Sequence, residues 1–229
     1  MKTIATLIIV VLVSSCTSFS QKKTEIRNVT GYTEIDVNEG IKVELTLGIK
    51  EFVEVTADED IIDRVITEIS GNELNIYLKG NSWRDNRKTV LVKVTATKIE
   101  SIDASSGADI ISQNLIKSDK LEMSVSSGAS IQIAFKTLEA SCNASSGADA
   151  KLKGASKYFE VEASSGANIN ADKVVAMKVE ADVSSGADIT VHAEEEIDAE
   201  ASSGGSIKYS GSPKIVDIEK SSGGSVRKL

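Results

Sequence analysis

Apolar and polar residues alternate with a period of two around a Ser-Ser-Gly triplet that recurs through residues 101–229. Counted from the second Ser of each copy, the positions four and two before it and two and four after it are nearly all apolar or small, as at Ile102, Ala104, Ala108 and Ile110. This alternation is typical of strands that bury one face, and it does not fit a helix. The triplet occurs seven times, with its glycine at Gly107, Gly128, Gly147, Gly166, Gly186, Gly204 and Gly223.

The spacing of the triplets predicts how these strands are arranged. Successive glycines lie 18 to 21 residues apart, a period that indicates a solenoid in which each unit buries its face against its neighbours. We therefore predict an all-β fold, a right-handed single-stranded parallel β-helix (solenoid) with coils of about 19 residues. Equivalent positions in successive coils should stack about 4.8 Å apart.

The triplet itself is interpreted as a corner. The alternation predicts that the first Ser and the Gly point outward and that the second Ser points inward, where its hydroxyl can satisfy buried polar groups. Lys220 is the exception among the inward positions, and it lies in the last copy, where the end of the stack gives its ammonium access to water. The predicted inward column consists of Ser106, Ser127, Ser146, Ser165, Ser185, Ser203 and Ser222.

Residues 28–100 lack the triplet but are also rich in strand patterns. Apolar residues alternate with polar ones over 35–47, and Gly71-Asn72 separates two such runs, which favours a β-hairpin. We predict that this less regular half caps one end of the stack, with Tyr77 and Trp83 packed in the cap.

The N-terminus has the pattern of an export signal. A basic start and an apolar run over 3–13 precede Cys16, and that run is too short to span a bilayer as a helix. Residues 13–16, Val-Ser-Ser-Cys, read as a lipobox, so we predict a signal peptide over 1–15 and a lipid on Cys16. A flexible tether over 16–27 and a single domain over 28–229 would follow. The alternative is ordinary cleavage after Ser20, which yields a periplasmic or secreted protein.

Composition narrows the function further. The net charge is −8 and aromatic residues make up 4% of the chain, so neither nucleic acid nor a base-stacking surface is expected. The only histidine, His192, falls on an outward position, and no nucleophile constellation or His-based metal site is visible. We expect no cofactor and no catalytic residues. Cys142 is interpreted as a small buried hydrophobic residue.

One outward column is a possible ligand or cation face. Three residues after the second Ser of each copy, carboxylates alternate with Ser or Asn, and the ligand candidates are Asp109, Asp149, Asn168 and Asp188. The Gly-x-Asp pattern is similar to that of calcium-binding β-rolls, but the nine-residue period and the Gly-Gly-x-Gly are missing. Alternation is also expected without a metal, since like charges in adjacent coils repel.

The order of features resembles the family called putative auto-transporter adhesin, head GIN domain. The matching features are Gly40-Ile41 followed by VELTLG, then VEVTADEDIID, then GNELNIYLKG, then tandem SSGAD coils, and together they cover about residues 28–226. The Gly-Ile-Asn tripeptide appears here as Gly40-Ile41-Lys42, so its third position departs. The resemblance implies an exported envelope β-solenoid with an adhesive or interaction role, and it brings no catalytic residues.

These observations favour a non-enzymatic cell-envelope lipoprotein that binds a protein or glycan partner. The membrane is contacted through the lipid on Cys16, most simply at the outer membrane, and the chain is expected to be a monomer or weak oligomer. The alternatives are a carbohydrate-active β-helix enzyme, a calcium-binding structural protein related to β-rolls, and a structural or signalling module of the envelope.

Overall fold

The computed structural model describes residues 21–80 and 89–229. The predicted signal peptide, Cys16 and Trp83 lie outside the described residues. The described part holds no helix with the length and apolarity that a bilayer crossing requires.

Nineteen strands and one short 3₁₀ turn account for most of the described chain. The strands are β1 Lys22–Arg27, β2 Glu34–Val37, β3 Lys42–Leu47, β4 Phe52–Asp58, β5 Val65–Ser70, β6 Glu73–Leu78, β7 Leu91–Ala96, β8 Ser101–Ala104, β9 Asp109–Ser112, β10 Ile116–Lys117, β11 Lys120–Val125, β12 Ser130–Lys136, β13 Glu139–Ala144, β14 Asp149–Ala163, β15 Asn168–Val183, β16 Asp188–Ala201, β17 Ser206–Gly211, β18 Ile215–Lys220 and β19 Ser225–Lys228. The 3₁₀ turn covers Ile62–Arg64.

The predicted solenoid of stacked parallel coils is confirmed. Two faces meet at the Ser-Ser-Gly corner, and equivalent residues of successive coils are paired, as Met123, Cys142 and Val161 are. Face A precedes the corner, and face B follows it. On face A the strand order is β6-β2-β8-β11-β13-β14-β15-β16-β18, and on face B it is β7-β3-β9-β12-β14-β15-β16-β17-β19.

The four predicted apolar columns form the core. Ile102, Ala104, Ala108 and Ile110 are all buried, and so are their equivalents in most other coils. The small residues keep the core narrow, and the larger rings of Phe135 and Phe159 pack with their centroids 6.0 Å apart. Burial of these columns is the main favourable contribution to folding.

The prediction for the second serine was wrong. Ser106 and its six equivalents are exposed, and their φ angles lie between 47° and 53°. The following glycine also has a positive φ, as in Gly107 at 77°, and the Ala108 N–H donates to the Ser105 carbonyl at 3.0 Å. Two successive left-handed residues closed by this hydrogen bond are the features of a type I′ turn. The strand alternation therefore ends at the corner, and the second serine points into solvent.

The corners are bonded to one another along the stack. The Gly107 N–H donates to the Ser127 carbonyl of the next coil at 3.1 Å, and the same bond recurs at Gly128, Gly147, Gly166 and Gly186. An eighth corner, which the sequence analysis missed, lies at Asn38-Glu39-Gly40, where Glu39 and Gly40 have φ angles of 63° and 70°. The Gly40 N–H donates to the Ser106 carbonyl at 3.0 Å, so this corner lies directly beside the first Ser-Ser-Gly corner.

The first end of the stack is closed by antiparallel strands, as the sequence predicted for a cap. β5 pairs with β6 through the expected turn at Gly71-Asn72, and it occupies the outer edge of β6 at the first end of face A. β4 pairs with β7 on face B, and β1 pairs with β4. Residues 22–27, which were expected to belong to a flexible tether, form strand β1 instead because their backbone groups bond to those of β4.

The last coil has neighbours on one side only among the described residues. β18 pairs with β16, and β19 pairs with β17, so their outer edges present free backbone groups. At these edges Lys220 pairs with buried Ala201, and Lys228 pairs with buried Tyr209, which places both lysines on inward columns. An inward-pointing charge at a strand edge disfavours the addition of a further strand.

We predict that these two lysines keep the open end from associating. The double variant Lys220→Val and Lys228→Val should form end-to-end oligomers at concentrations at which the parent chain does not, because an apolar edge is a template for pairing. Sedimentation velocity measures this difference. The variant Lys214→Val and Arg227→Val removes the same charge from outward positions and should behave as the parent does; equal behaviour of both double variants would contradict the prediction.

Two glycines are required for different reasons, one for its positive φ angle and the other because a side chain would collide with neighbouring backbone. At Gly147, with φ +71°, an added Cβ would meet nothing within 4 Å, so Gly147→Ala should lower the free energy of unfolding by about 1 kcal/mol. At Gly154, with φ +138°, the Cβ would lie 1.7 Å from the Phe135 carbonyl oxygen. Gly154→Ala should therefore cost more than about 3 kcal/mol in urea unfolding, and similar losses at the two sites would refute this account of Gly154.

Candidate functional site

The carboxylates of the column predicted as a ligand face already have partners among the side chains of adjacent coils. Asp109, Asp149, Asn168 and Asp188 all occupy the first outward position of face B after the corner. The Ser130 hydroxyl donates to Asp109 at 2.7 Å, and the Asn168 amide donates to Asp149 at 2.9 Å. Lys42 and Lys208 lie 3.9 Å and 4.0 Å from the carboxylates of Asp109 and Asp188. In the described ranges no three His, Cys, Asp or Glu residues are grouped so as to hold a metal ion.

Because donors in adjacent coils already pair with these carboxylates, calcium should not stabilise the column. We expect the thermal midpoint to be the same, within error, in millimolar calcium and in chelator. An increase in the midpoint that is abolished by Asp149→Asn would contradict this expectation and indicate a β-roll-like calcium site.

A second carboxylate array, on face A, is not relieved in this way. The residues three and five positions before the second Ser point outward, and in the later coils nearly all of them are acidic. Parallel pairing places them in two ladders, one of Glu160, Glu180, Asp198 and Asp217 and the other of Glu162, Asp182, Glu200 and Glu219. The sequence analysis did not identify these carboxylates as ladders. Their in-register spacing from the corner was the signal that could have identified the ladders.

Two carboxyl groups of the ladders have raised pKa values. Burial raises the pKa of Asp182 above its ordinary value, and the carboxylates of Glu180 and Glu162 raise it further. Glu200 is exposed, and its pKa is raised first by the carboxylate of Asp182 and then by that of Glu219. The shift of Glu200 is caused first by repulsion between carboxylates of adjacent coils, and the shift of Asp182 is caused first by burial and then by the same kind of repulsion. At the rim of the face Lys178 lies 2.5 Å from Glu196, a carboxylate that belongs to neither ladder.

A groove of about 490 Å³ runs along the stack between these ladders and the corner. Its acidic wall contains Glu162, Asp182, Glu200 and Glu219. The first serines of the last six triplets form the opposite wall, and they are Ser126, Ser145, Ser164, Ser184, Ser202 and Ser221. A second groove, of about 520 Å³, lies on the other side of face A and combines Tyr158 with paired charges such as Lys178 and Glu196. The face thus offers carboxylates and hydroxyls along a continuous concave surface.

The His192 side chain is half-buried at its predicted outward position, and two side chains lie within hydrogen-bond distance of its ring. Its Nδ1 lies 2.8 Å from the Ser210 hydroxyl, and its Nε2 lies 3.0 Å from the Glu194 carboxylate. The sequence analysis did not foresee this group, because Ser210 reaches His192 from the next coil. His192 does not line either groove of face A.

Cys142 behaves as the sequence predicted. Its side chain is buried in the core, and burial raises the pKa of its thiol to about 12. The thiol is therefore uncharged and inaccessible in the folded protein, and it contributes packing to the core.

Comparison with known families decides the classification. The family described as putative auto-transporter adhesin, head GIN domain, matches residues 31–213. The chain belongs to this family. The match runs from the coil of β2 and β3 to the end of β17, so head GIN membership covers nearly the whole solenoid. The family description indicates an exported, adhesin-like protein and favours a role other than catalysis.

Solved structures share the head GIN fold at low sequence identity. A putative adhesin from Bacteroides fragilis has 21% identity and a TM-score of 0.83, with 91% of this chain and 97% of that chain covered. A putative lipid binding protein from Parabacteroides distasonis has 20% identity and a TM-score of 0.74, with 92% and 98% covered. A putative adhesin from the same organism has 18% identity and a TM-score of 0.73, with 92% and 98% covered. No curated protein matches the chain.

Proposed function

We propose that this head GIN protein is a non-enzymatic adhesion module that binds a cationic protein segment along face A. The observation that supports this proposal is the pair of in-register carboxylate ladders beside the serine-walled groove. Like charges directly opposite one another destabilise a sheet, so the folded chain alone pays a cost that a cationic partner would relieve.

The geometry suits an extended partner. Each ladder crosses four coils, which at about 4.8 Å per interval gives an acidic strip of roughly 14 Å. An extended segment rises about 3.3 Å per residue, so four or five residues span the strip. Lysine and arginine side chains on such a segment can reach both ladders, while its backbone N–H groups can donate to the serine hydroxyls.

The anchor is a second part of the proposal. Processing at Cys16 would make this cysteine the first residue and attach lipid to it, which fixes the protein in the cell envelope, most simply at the outer membrane. The short apolar run and the lipobox support this location. Cleavage after Ser20 would release the same domain into the periplasm or the medium.

The ladders yield a coupled prediction for stability and binding. In the variant Asp182→Asn and Glu200→Gln, the thermal midpoint at pH 7 should rise, because a source of repulsion is removed. The raised pKa values mean that the ionised forms, disfavoured by burial at Asp182 and by repulsion at both residues, destabilise the folded parent above the ordinary carboxyl pKa values, and this destabilisation is lost on protonation at lower pH. The gain in the variant should therefore shrink as the pH falls towards 4.

The same variant should bind an oligolysine peptide many-fold more weakly in isothermal titration calorimetry at low salt, and added salt should weaken binding to the parent. The control variant Asp109→Asn and Asp149→Asn removes the same charge from face B and should retain the parent affinity. Equal affinities for the parent and both variants would refute face A as the binding surface. Selective binding to a neutral glycan array, or turnover of a polysaccharide, would favour the glycan or enzymatic alternatives instead.

A further inference from the structure

Three apolar side chains are exposed at the N-terminal cap, two of them on one face of its outer strands and the third in the turn that precedes β4, and they are referred to below as the patch. Ile49 is fully exposed, Ile26 is 70% exposed and Phe52 is 38% exposed. Ile26 on β1 pairs with Glu54 on β4, so Phe52, two residues away from Glu54, is its diagonal neighbour on the same face of the sheet. Ile49 lies in the turn that leads into β4, and the Gly31 N–H donates to Glu51 of that turn at 2.8 Å. Arg27, the last residue of β1, pairs with Val53, so the C-terminal end of β1 lies beside the residues that directly follow this turn.

The length of chain between Cys16 and β1 limits how far the cap can lie from a lipid on Cys16. β1 begins at Lys22, six residues after Cys16. Six residues reach at most about 22 Å when fully extended. A lipid on Cys16 would therefore hold the cap within a few nanometres of the bilayer, whereas the open end of the stack lies about eight coil intervals, or roughly 38 Å, further along.

We infer that the patch of Ile26, Ile49 and Phe52 inserts into the interfacial region of the membrane that carries the lipid. This inference rests on the lipid anchor proposed above. The carboxylates near the patch do not oppose insertion strongly, because Glu54 is paired with Lys93 at 3.2 Å and Glu51 accepts the bond from Gly31. Lys50 is exposed beside Ile49 and can contact headgroup phosphates.

The orientation follows from where these side chains point. Ile26 and Phe52 project out of the sheet and not along the stack, so contact by the whole patch tilts the stack relative to the membrane normal. A single lipid chain gives only reversible membrane binding, and a second apolar contact strengthens it. The patch therefore acts together with the anchor to fix how the solenoid is presented.

The test compares two exposed isoleucines at opposite ends of the full-length protein. The variants Ile49→Cys and Ile215→Cys are purified as processed in the cell, labelled with an environment-sensitive fluorophore and reconstituted into phosphatidylcholine vesicles with and without spin-labelled lipid. Buried Cys142 should not react under native conditions. We expect blue-shifted emission and several-fold stronger quenching at position 49 than at position 215. Adding Ile26→Ser and Phe52→Ser to the Ile49→Cys variant should reduce the quenching.

Each outcome has a distinct meaning. Mass analysis of the mature N-terminus and vesicle flotation report the anchor independently of the label. A lipidated chain whose label at position 49 is as exposed to water as that at position 215 overturns insertion of the patch and leaves the anchor intact. A mature chain that begins at Gln21 overturns the proposed anchor, and with it the inference. Unchanged quenching in the serine variant would show that tethering alone brings the cap to the membrane.

Discussion

The structure depends on the register between successive coils. A coil of about 19 residues cannot satisfy its own backbone or cover its own apolar positions, so both are completed by its neighbours. The corner enforces the register, since Gly107 and its equivalents donate to the serine carbonyl of the next coil. Seven serines adopt positive φ angles there, although a left-handed conformation costs a non-glycine residue about 1–2 kcal/mol. The corner nevertheless forms, because its hydrogen bond, the backbone hydrogen bonds between strands and the packing of the buried columns all require the same register.

Register also converts a repeated sequence into columns of like chemistry. In apolar columns this is favourable, because each inward side chain packs against its equivalents above and below. In charged columns it is unfavourable unless donors alternate with carboxylates. On face B donors do alternate with carboxylates, with Ser130 beside Asp109 and Asn168 beside Asp149. Face A does not, because acidic residues follow one another through four coils. The contrast between two faces of one stack, built by the same corner, is the physical reason for proposing that face A binds a cationic partner.

The sequence predicted the features that depend on local periodicity and missed those that depend on adjacency between coils. Alternation around the triplet identified the strands and the four buried columns of the second half, and alternation on both sides of Gly71-Asn72 identified the hairpin of the first half. It failed at Ser106, because the period of two does not continue through a turn with two left-handed residues. It missed the corner at Asn38-Glu39-Gly40, where neither serine is present. It also missed the acidic ladders, although their members keep a constant spacing from the corner, because the outward positions before the triplet were not compared from copy to copy; the differences in copy length are absorbed in register shifts away from these positions, such as the one between Ala171 and Val175.

The two ends of the stack are both protected against the addition of further strands. Antiparallel strands β1, β4 and β5 close one end, while Lys220 and Lys228 place charge on the inward columns at the other. Neither end therefore favours continued stacking, and the lateral faces are the surfaces left for recognition. The acidic ladders run from β14 to β18, the half of the stack opposite the cap. With the proposed lipid anchor at the cap, this distribution would separate attachment from recognition: one end of the stack would meet the membrane, and the charged groove would be held away from it, where the proposed cationic partner could approach without competition from the bilayer surface.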